Sequence, residues 1–116
     1  MSEIFDFSSV VELLMGDEEV AKELLKSYLL QTEEQMELLK NLLLEANFES
    51  NRDEVRRKAH LIKGSSLNVS AKALADTMLQ MEKGANTLKL EELSQLYEVA
   101  TKRFEELKKE IGKIVS

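Results

Sequence analysis

The sequence predicts an all-α fold, an antiparallel four-helix bundle with a short accessory helix at its N-terminus. Three observations predict it. Proline is absent and only four glycines are present in 116 residues, so little interrupts a helix. Leu, Glu, Lys and Ala dominate, and all four are strong helix formers. Apolar residues recur at helical steps in successive runs, each with a charged opposite face. Such stripes must be buried against one another, and short connections make neighbouring helices antiparallel. Hydrophobic residues make up 43% of the chain, enough for one core. The length fits one domain over residues 1–116.

The elements follow from local chemistry. Ser9 and Glu12 fit a capping box that opens a short helix over Val10 to Met15. Gly16 ends that helix, and Asp17 caps the next, with Glu18 and Glu19 at its positive end. From there Val20, Leu24, Tyr28, Gln31, Gln35, Leu38 and Leu42 follow helical steps, with Ala21, Leu25, Leu39 and Leu43 widening the apolar stripe. Thr32 and Gln35 fit another capping box, which places a break near Thr32. Asn47 to Asn51 reads as a loop, and Asn51 with Glu54 fits a third box opening a helix over Arg52 to Leu67. Asn68-Val69-Ser70 is a tight connection. The next helix runs from Ala71 to Lys83 with Leu74, Met78 and Met81 inward, and Gly84 suits its stop. The last starts near Lys89, with Leu93, Leu96, Ala100, Phe104, Leu107, Ile111 and Ile114 as its stripe.

Composition narrows the function. A net charge of −6 argues against a general nucleic-acid or anionic-membrane binder, both of which call for a basic surface. The lack of cysteine excludes disulfides, thiol catalysis and thiolate metal sites, and points to a cytoplasmic setting. The opening Met1-Ser2-Glu3-Ile4-Phe5-Asp6 has no basic segment followed by an apolar run, so no leader pattern is visible. The purely apolar stretches reach three residues, as in Leu42-Leu43-Leu44. A membrane span takes roughly 20, so no membrane insertion is expected. One histidine cannot build a multi-histidine metal site, and the expected metal is none. No glycine-rich loop followed by Lys-Ser or Lys-Thr offers a nucleotide site, no nucleophile elbow appears, and the carboxylates are spread over solvent faces. No bound cofactor and no free-standing enzyme activity are expected.

His60 stands apart. Within Val55-Arg56-Arg57-Lys58-Ala59-His60-Leu61-Ile62-Lys63-Gly64-Ser65-Ser66-Leu67 its neighbours three and four residues away are Arg56, Arg57, Lys63 and Gly64. Arg52 to Lys63 carries five basic and two acidic residues in an acidic protein. Glycine inside a helix costs about 1 kcal/mol relative to alanine. At Gly64 it clears space beside the imidazole, and Ser65 and Ser66 continue the small-residue patch. A neutral imidazole is a nitrogen nucleophile, nearby cations favour that neutral form, and a lysine one turn on can meet a phosphoryl group. The plainer alternatives are a surface histidine on a solvated basic face, and a glycine that allows close helix packing.

The longer string decides between them. Ala59-His60-Leu61-Ile62-Lys63-Gly64-Ser65-Ser66, then Leu67-Asn68-Val69-Ser70-Ala71, then Leu74-Ala75 and Met81-Glu82, resembles the signature of the histidine-containing phosphotransfer (HPt) domain. Gly16-Asp17-Glu18-Glu19 resembles the opening of that family's early helix. The resemblance implies a four-helix bundle with an accessory helix, phosphorylated on His60. It implies that Lys63 stabilises the phosphoryl group and that Gly64, with Ser65, shapes access. It also implies that Glu82 accepts a hydrogen bond from the other ring nitrogen. Ser70 departs from the pattern, standing where the family usually has glycine; serine there is read as a cap for the following helix. The implied partners are a response-regulator receiver domain, which would hold any Mg²⁺, and a sensor histidine kinase. A monomer is expected. Docking candidates are Leu61, Gly64 and Leu67, with Leu13, Leu14 or Met15 from the first helix; core packing is the alternative for each apolar one. Two other readings stay open: the phosphoacceptor domain of a chemotaxis-type or hybrid histidine kinase, and a bundle that binds receivers without transfer.

Overall fold

The computed structural model describes residues 4–115; Met1 to Glu3, within the stretch read for a leader pattern, and Ser116 lie outside it. Five α-helices and one 3₁₀ turn follow in order: α1 Phe7–Leu13, α2 Glu18–Leu44, the turn Phe48–Asn51, α3 Arg52–Asn68, α4 Lys72–Gly84 and α5 Leu90–Val115. Strands are absent among the described residues. Each long helix packs on its chain neighbour, and α5 closes the ring against α2. The bundle measures 46 × 20 × 20 Å. Its long axis matches the length of α2, whose 27 residues rise about 40 Å. Its centre is built from Leu25, Leu39, Val55, Ile62, Leu74, Met78, Met81, Leu93, Leu107 and Ile111, all fully buried. On α2 the buried line is Ala21, Leu25, Tyr28, Met36, Leu39 and Leu43, so the residues that widen the expected stripe face the core, while Val20 and Leu38 are exposed, because the helix is turned about one residue step from the leading line. Removing that apolar surface from water is the main force holding the helices together.

The Asp17 cap is present, with its carboxylate accepting from the Val20 amide at 3.1 Å. The three capping boxes give way to different contacts. Asp6, not Ser9, caps α1, accepting from the Ser9 amide at 3.4 Å and the Ser9 hydroxyl at 2.9 Å. The helix therefore starts at Phe7 and ends at Leu13, ahead of Met15 and Gly16, both at positive φ. No break occurs at Thr32. Its side chain is buried and α2 runs through it, because packing against the bundle outweighs a local cap. Asn51 donates to Glu45 Oε2 at 2.8 Å instead of capping α3, tying the turn to the end of α2.

Arg52 anchors the opposite connection. It donates to the carbonyls of Ala85 at 3.0 Å and Leu88 at 2.7 Å, lies over the Phe48 ring at 4.7 Å and pairs with Glu49. These bonds satisfy carbonyls between α4 and α5 that no helix partner reaches. Gly84 is the last residue of α4 and has no positive φ. A Cβ there would collide with the Leu88 side chain, so this glycine serves a close approach and not a left-handed stop.

Ser70 is also not a cap. Ala71 occupies that position without a side-chain hydrogen bond, and Ser70 sits at φ 59 between α3 and α4. L-residues pay for the left-handed region through Cβ crowding, which glycine avoids. Ser70→Gly is expected to stabilise the fold by about 1 kcal/mol, read as a higher urea midpoint at unchanged slope. An unchanged or lower midpoint would show that the turn carries no strain.

Candidate functional site

His60 lies midway along α3, on the side facing α4. Position 59 is buried beside it and position 62 below it, so the apolar stripe of α3 fixes which way the imidazole points. The ring remains 63% exposed. Its Nδ1 is 2.9 Å from Glu82 Oε2 on α4, 22 residues along the chain. A carboxylate only accepts, so Nδ1 carries the hydrogen and donates it. In the neutral ring the lone pair is then on Nε2, the outer nitrogen. Lys63 Nζ is 2.8 Å from the second oxygen of the same carboxylate. Lys63 and Glu82 are each about one-fifth exposed. One carboxylate thus holds the imidazole and the ammonium one helical turn apart.

The charges of this trio explain their titration. The Lys63 contact first, and then the His60 hydrogen bond, hold the Glu82 carboxyl below its ordinary value against the opposing pull of burial. A carboxyl lowered in the folded state contributes stability above its unfolded value and loses it as pH falls through the folded one. The His60–Glu82–Lys63 clasp is therefore stable at neutral pH and weakens in acid.

The broader basic patch is less basic than its composition suggests. Arg56 pairs with Asp53 at 3.1 Å, Arg57 with Asp53 at 3.1 Å and Glu54 at 3.0 Å, and Arg52 with Glu49 at 2.7 Å. The arginines lean back along α3, and Lys63 is the cation that shares a carboxylate with the imidazole. The charge next to His60 comes from Glu82 and Lys63 together, not from a field of free cations.

The two readings of Gly64 separate cleanly. A Cβ added there would meet nothing within 4 Å, whereas one at Gly84 would strike Leu88. Gly64 lies on open surface and supports no helix contact. Ser65 donates its hydroxyl back to the Ile62 carbonyl at 3.2 Å and lines the α2–α3 cleft. Ser66 leaves the patch altogether: it is buried and its hydroxyl meets Tyr28 at 2.7 Å.

The docking candidates divide by helix. Leu61 is 50% and Leu67 55% exposed, both on the solvent side of α3 with His60. Leu13 at the end of α1 and Met15 just beyond it are exposed, while Leu14 packs against the core. The Tyr28–Ser66 contact sets the level of α2 against α3. Counting helix rise from it puts the start of α2, where Met15 sits, roughly 25 Å along the bundle axis from His60. The structure gathers Leu61, Gly64 and Leu67 around the imidazole and keeps the α1 residues apart from it. Among the described residues no cluster of His, Asp and Glu is arranged to hold a metal, and no helix is long and apolar enough to cross a membrane.

Comparison with known proteins bears on the fold and the family. The solved structure of a rice protein described as a histidine-containing phosphotransfer protein superposes with a TM-score of 0.86 at 18% identity, covering 97% of this chain and 79% of that one. At that identity the likeness concerns the fold. No curated protein sequence matches the chain. A family model described as the Hpt domain matches residues 23–114, which takes in α3 with His60 and α4 with Glu82. The chain belongs to the Hpt domain family, whose members are phosphotransfer intermediates of two-component signalling.

Proposed function

We propose that this protein carries a phosphoryl group on His60, accepting it from a receiver-domain aspartate or a kinase and passing it to another receiver. The observation behind the proposal is the exposed imidazole whose Nδ1–H is held by Glu82, with Lys63 on the same carboxylate and open surface at Gly64. In the forward step the Nε2 lone pair attacks the phosphorus of an aspartyl phosphate. The N–P bond forms as the bond from phosphorus to the aspartate oxygen breaks, and the aspartate leaves as a carboxylate. The Nδ1 proton stays in its bond to Glu82, so the ring needs no separate base. The Lys63 ammonium stabilises the arriving charge. The reverse step uses the same groups. Any Mg²⁺ belongs to the receiver, no cofactor is bound by this chain, and the setting is cytoplasmic.

The test is incubation with phosphorylated receivers of the source genome. Acid-labile, alkali-stable label on this chain is expected, at His60. Binding of receivers with no label in any pairing would favour a docking module instead.

Glu82 is a positioning residue in this scheme. Removing its carboxylate with Glu82→Leu is expected to slow phosphoryl acceptance roughly 10-fold, by analogy with the cost of losing a group that orients a histidine. Glu82→Gln keeps an acceptor for Nδ1–H and should recover part of that loss. Ring-nitrogen NMR provides the second readout: wild type is expected to hold the Nδ1–H tautomer, and Glu82→Leu to show a mixture. A Glu82→Leu protein with wild-type rate and tautomer would remove the role.

A further inference from the structure

A second feature lies on the other flank of α3. Between α2 and α3 runs a cleft of about 130 Å³ lined by Gln31, Thr32, Glu34, Gln35, Leu61, Ile62 and Ser65. Its chemistry is lopsided. Gln35 Oε1 is buried and has no hydrogen-bond partner. Buried polar atoms without partners are uncommon, because each forfeits its bonds to water. Glu34, exposed beside it, forms no ion pair among the described residues, whereas Glu33 next door pairs with Lys108 at 3.3 Å. Two nearby donors are already engaged: the Ser65 hydroxyl with the Ile62 carbonyl, and the Gln31 amide with Ser27. The cleft therefore offers an unpaired carboxylate and, just beneath the surface, an unpaired carbonyl oxygen, with an apolar wall from the half-exposed Leu61 over the buried Ile62. Leu61 adjoins His60 in sequence and is half exposed, so the cleft opens beside the phosphotransfer face.

We propose that this cleft receives a lysine or arginine side chain of the docked receiver. This rests on the phosphocarrier reading and names a specificity contact for it. The alkyl stem of such a side chain lies along the half-exposed Leu61, and its cationic head meets Glu34 at the mouth of the cleft, where a turn of the Gln35 amide brings the enclosed Oε1 out to it. A cation fits because both free groups are acceptors and one is charged. An acidic or purely apolar side chain would leave Gln35 unpaired and set its own charge or bulk against Glu34. The contact selects among receivers and leaves the chemistry at His60 untouched.

The test uses the receiver that exchanges phosphate fastest with the wild-type chain, titrated against wild type, Glu34→Gln and Gln35→Leu. Each variant is expected to bind roughly 10-fold more weakly, as loss of a charge-assisted hydrogen bond predicts. The salt sensitivity of binding should shrink in Glu34→Gln. Phosphorylation by the small donor phosphoramidate should be equal in all three, which reports an intact His60. Glu34 is exposed, so Glu34→Gln tests the contact without disturbing the core. Equal receiver affinity in all three proteins, with normal labelling by phosphoramidate, overturns the cleft proposal and leaves the phosphocarrier reading standing. Absence of label on the wild-type chain from every donor overturns the phosphocarrier reading, and this proposal with it.

Discussion

Replacing His60 with glutamine is expected to abolish phosphoryl acceptance, leaving only background label after incubation with a phosphorylated receiver. Glutamine is close in size and polar, and the ring is 63% exposed, so the fold should be undisturbed and the melting curve unchanged. What disappears is the nitrogen lone pair. No other histidine exists in the chain to substitute for it. Label that persists in His60→Gln would place the acceptor elsewhere and end the proposal. Gly64→Gln gives the complementary result. A Cβ there meets nothing within 4 Å, and an ordinary residue replaces glycine inside a helix, a gain of about 0.5–1 kcal/mol. The protein should be slightly more stable and yet accept phosphate from a receiver on the order of 100-fold more slowly, because the new side chain displaces the approaching aspartyl phosphate. Phosphoramidate, being small, should be affected much less. Equal slowing for both donors would mean that the substitution disturbed the imidazole itself and not the approach to it.

The second large effect is predicted in the core, at the pair that sets the level of α2 against α3. Tyr28 and Ser66 are both buried, and their hydroxyls lie 2.7 Å apart. Tyr28→Phe removes one partner and leaves the Ser66 hydroxyl enclosed without it, at a cost of about 1–3 kcal/mol. The same pair predicts a pH effect. Burial pushes the Tyr28 phenol up to about 12, outweighing the hydrogen bonds from Ser66 and Thr32 that pull it down. An unfolded tyrosine ionises near 10, so between these values the unfolded chain loses a proton that the folded chain keeps. Stability must fall with rising pH in that window, by about 2–3 kcal/mol from this group over the two units. Denaturant midpoints of wild type and Tyr28→Phe should therefore converge above pH 10, because the variant lacks the titrating group. Parallel curves would show that Tyr28 ionises without unfolding.

Much of the architecture could be read from the residues in order. Helical stripes, the Asp17 cap and the punctuation at Gly16 depend on neighbours within one or two turns, where spacing alone decides contact. The same holds for His60, Lys63 and Gly64, which share a face of α3 because they are three and four residues apart. All three capping boxes were misleading. Ser9, Thr32 and Asn51 have the right chemistry for a cap, but Asp6, the bundle core and Glu45 compete for those positions. Ser66 is the sharpest case. Its place after Gly64-Ser65 reads as part of an open patch, and a rotation of one residue step around α3 turns it into the core against Tyr28.

What remains is a matter of register between helices. Glu82 is 22 residues from His60, and only the family resemblance pointed to it from the sequence. The packing of α3 on α4 places its two oxygens against His60 Nδ1 and Lys63 Nζ. The same packing distinguishes two glycines that look alike in sequence: Gly84 is crowded by Leu88, while Gly64 faces open space. His60 as the candidate phosphoacceptor was legible in the sequence alone, because helix periodicity puts Lys63 and Gly64 on its face and the string around it resembles the Hpt signature. The tautomer of that nucleophile, the pairing of its arginine neighbours and the free acceptors of the α2–α3 cleft were decided only by tertiary structure, because hydrogen bonds between helices depend on how far one slides and turns against the next.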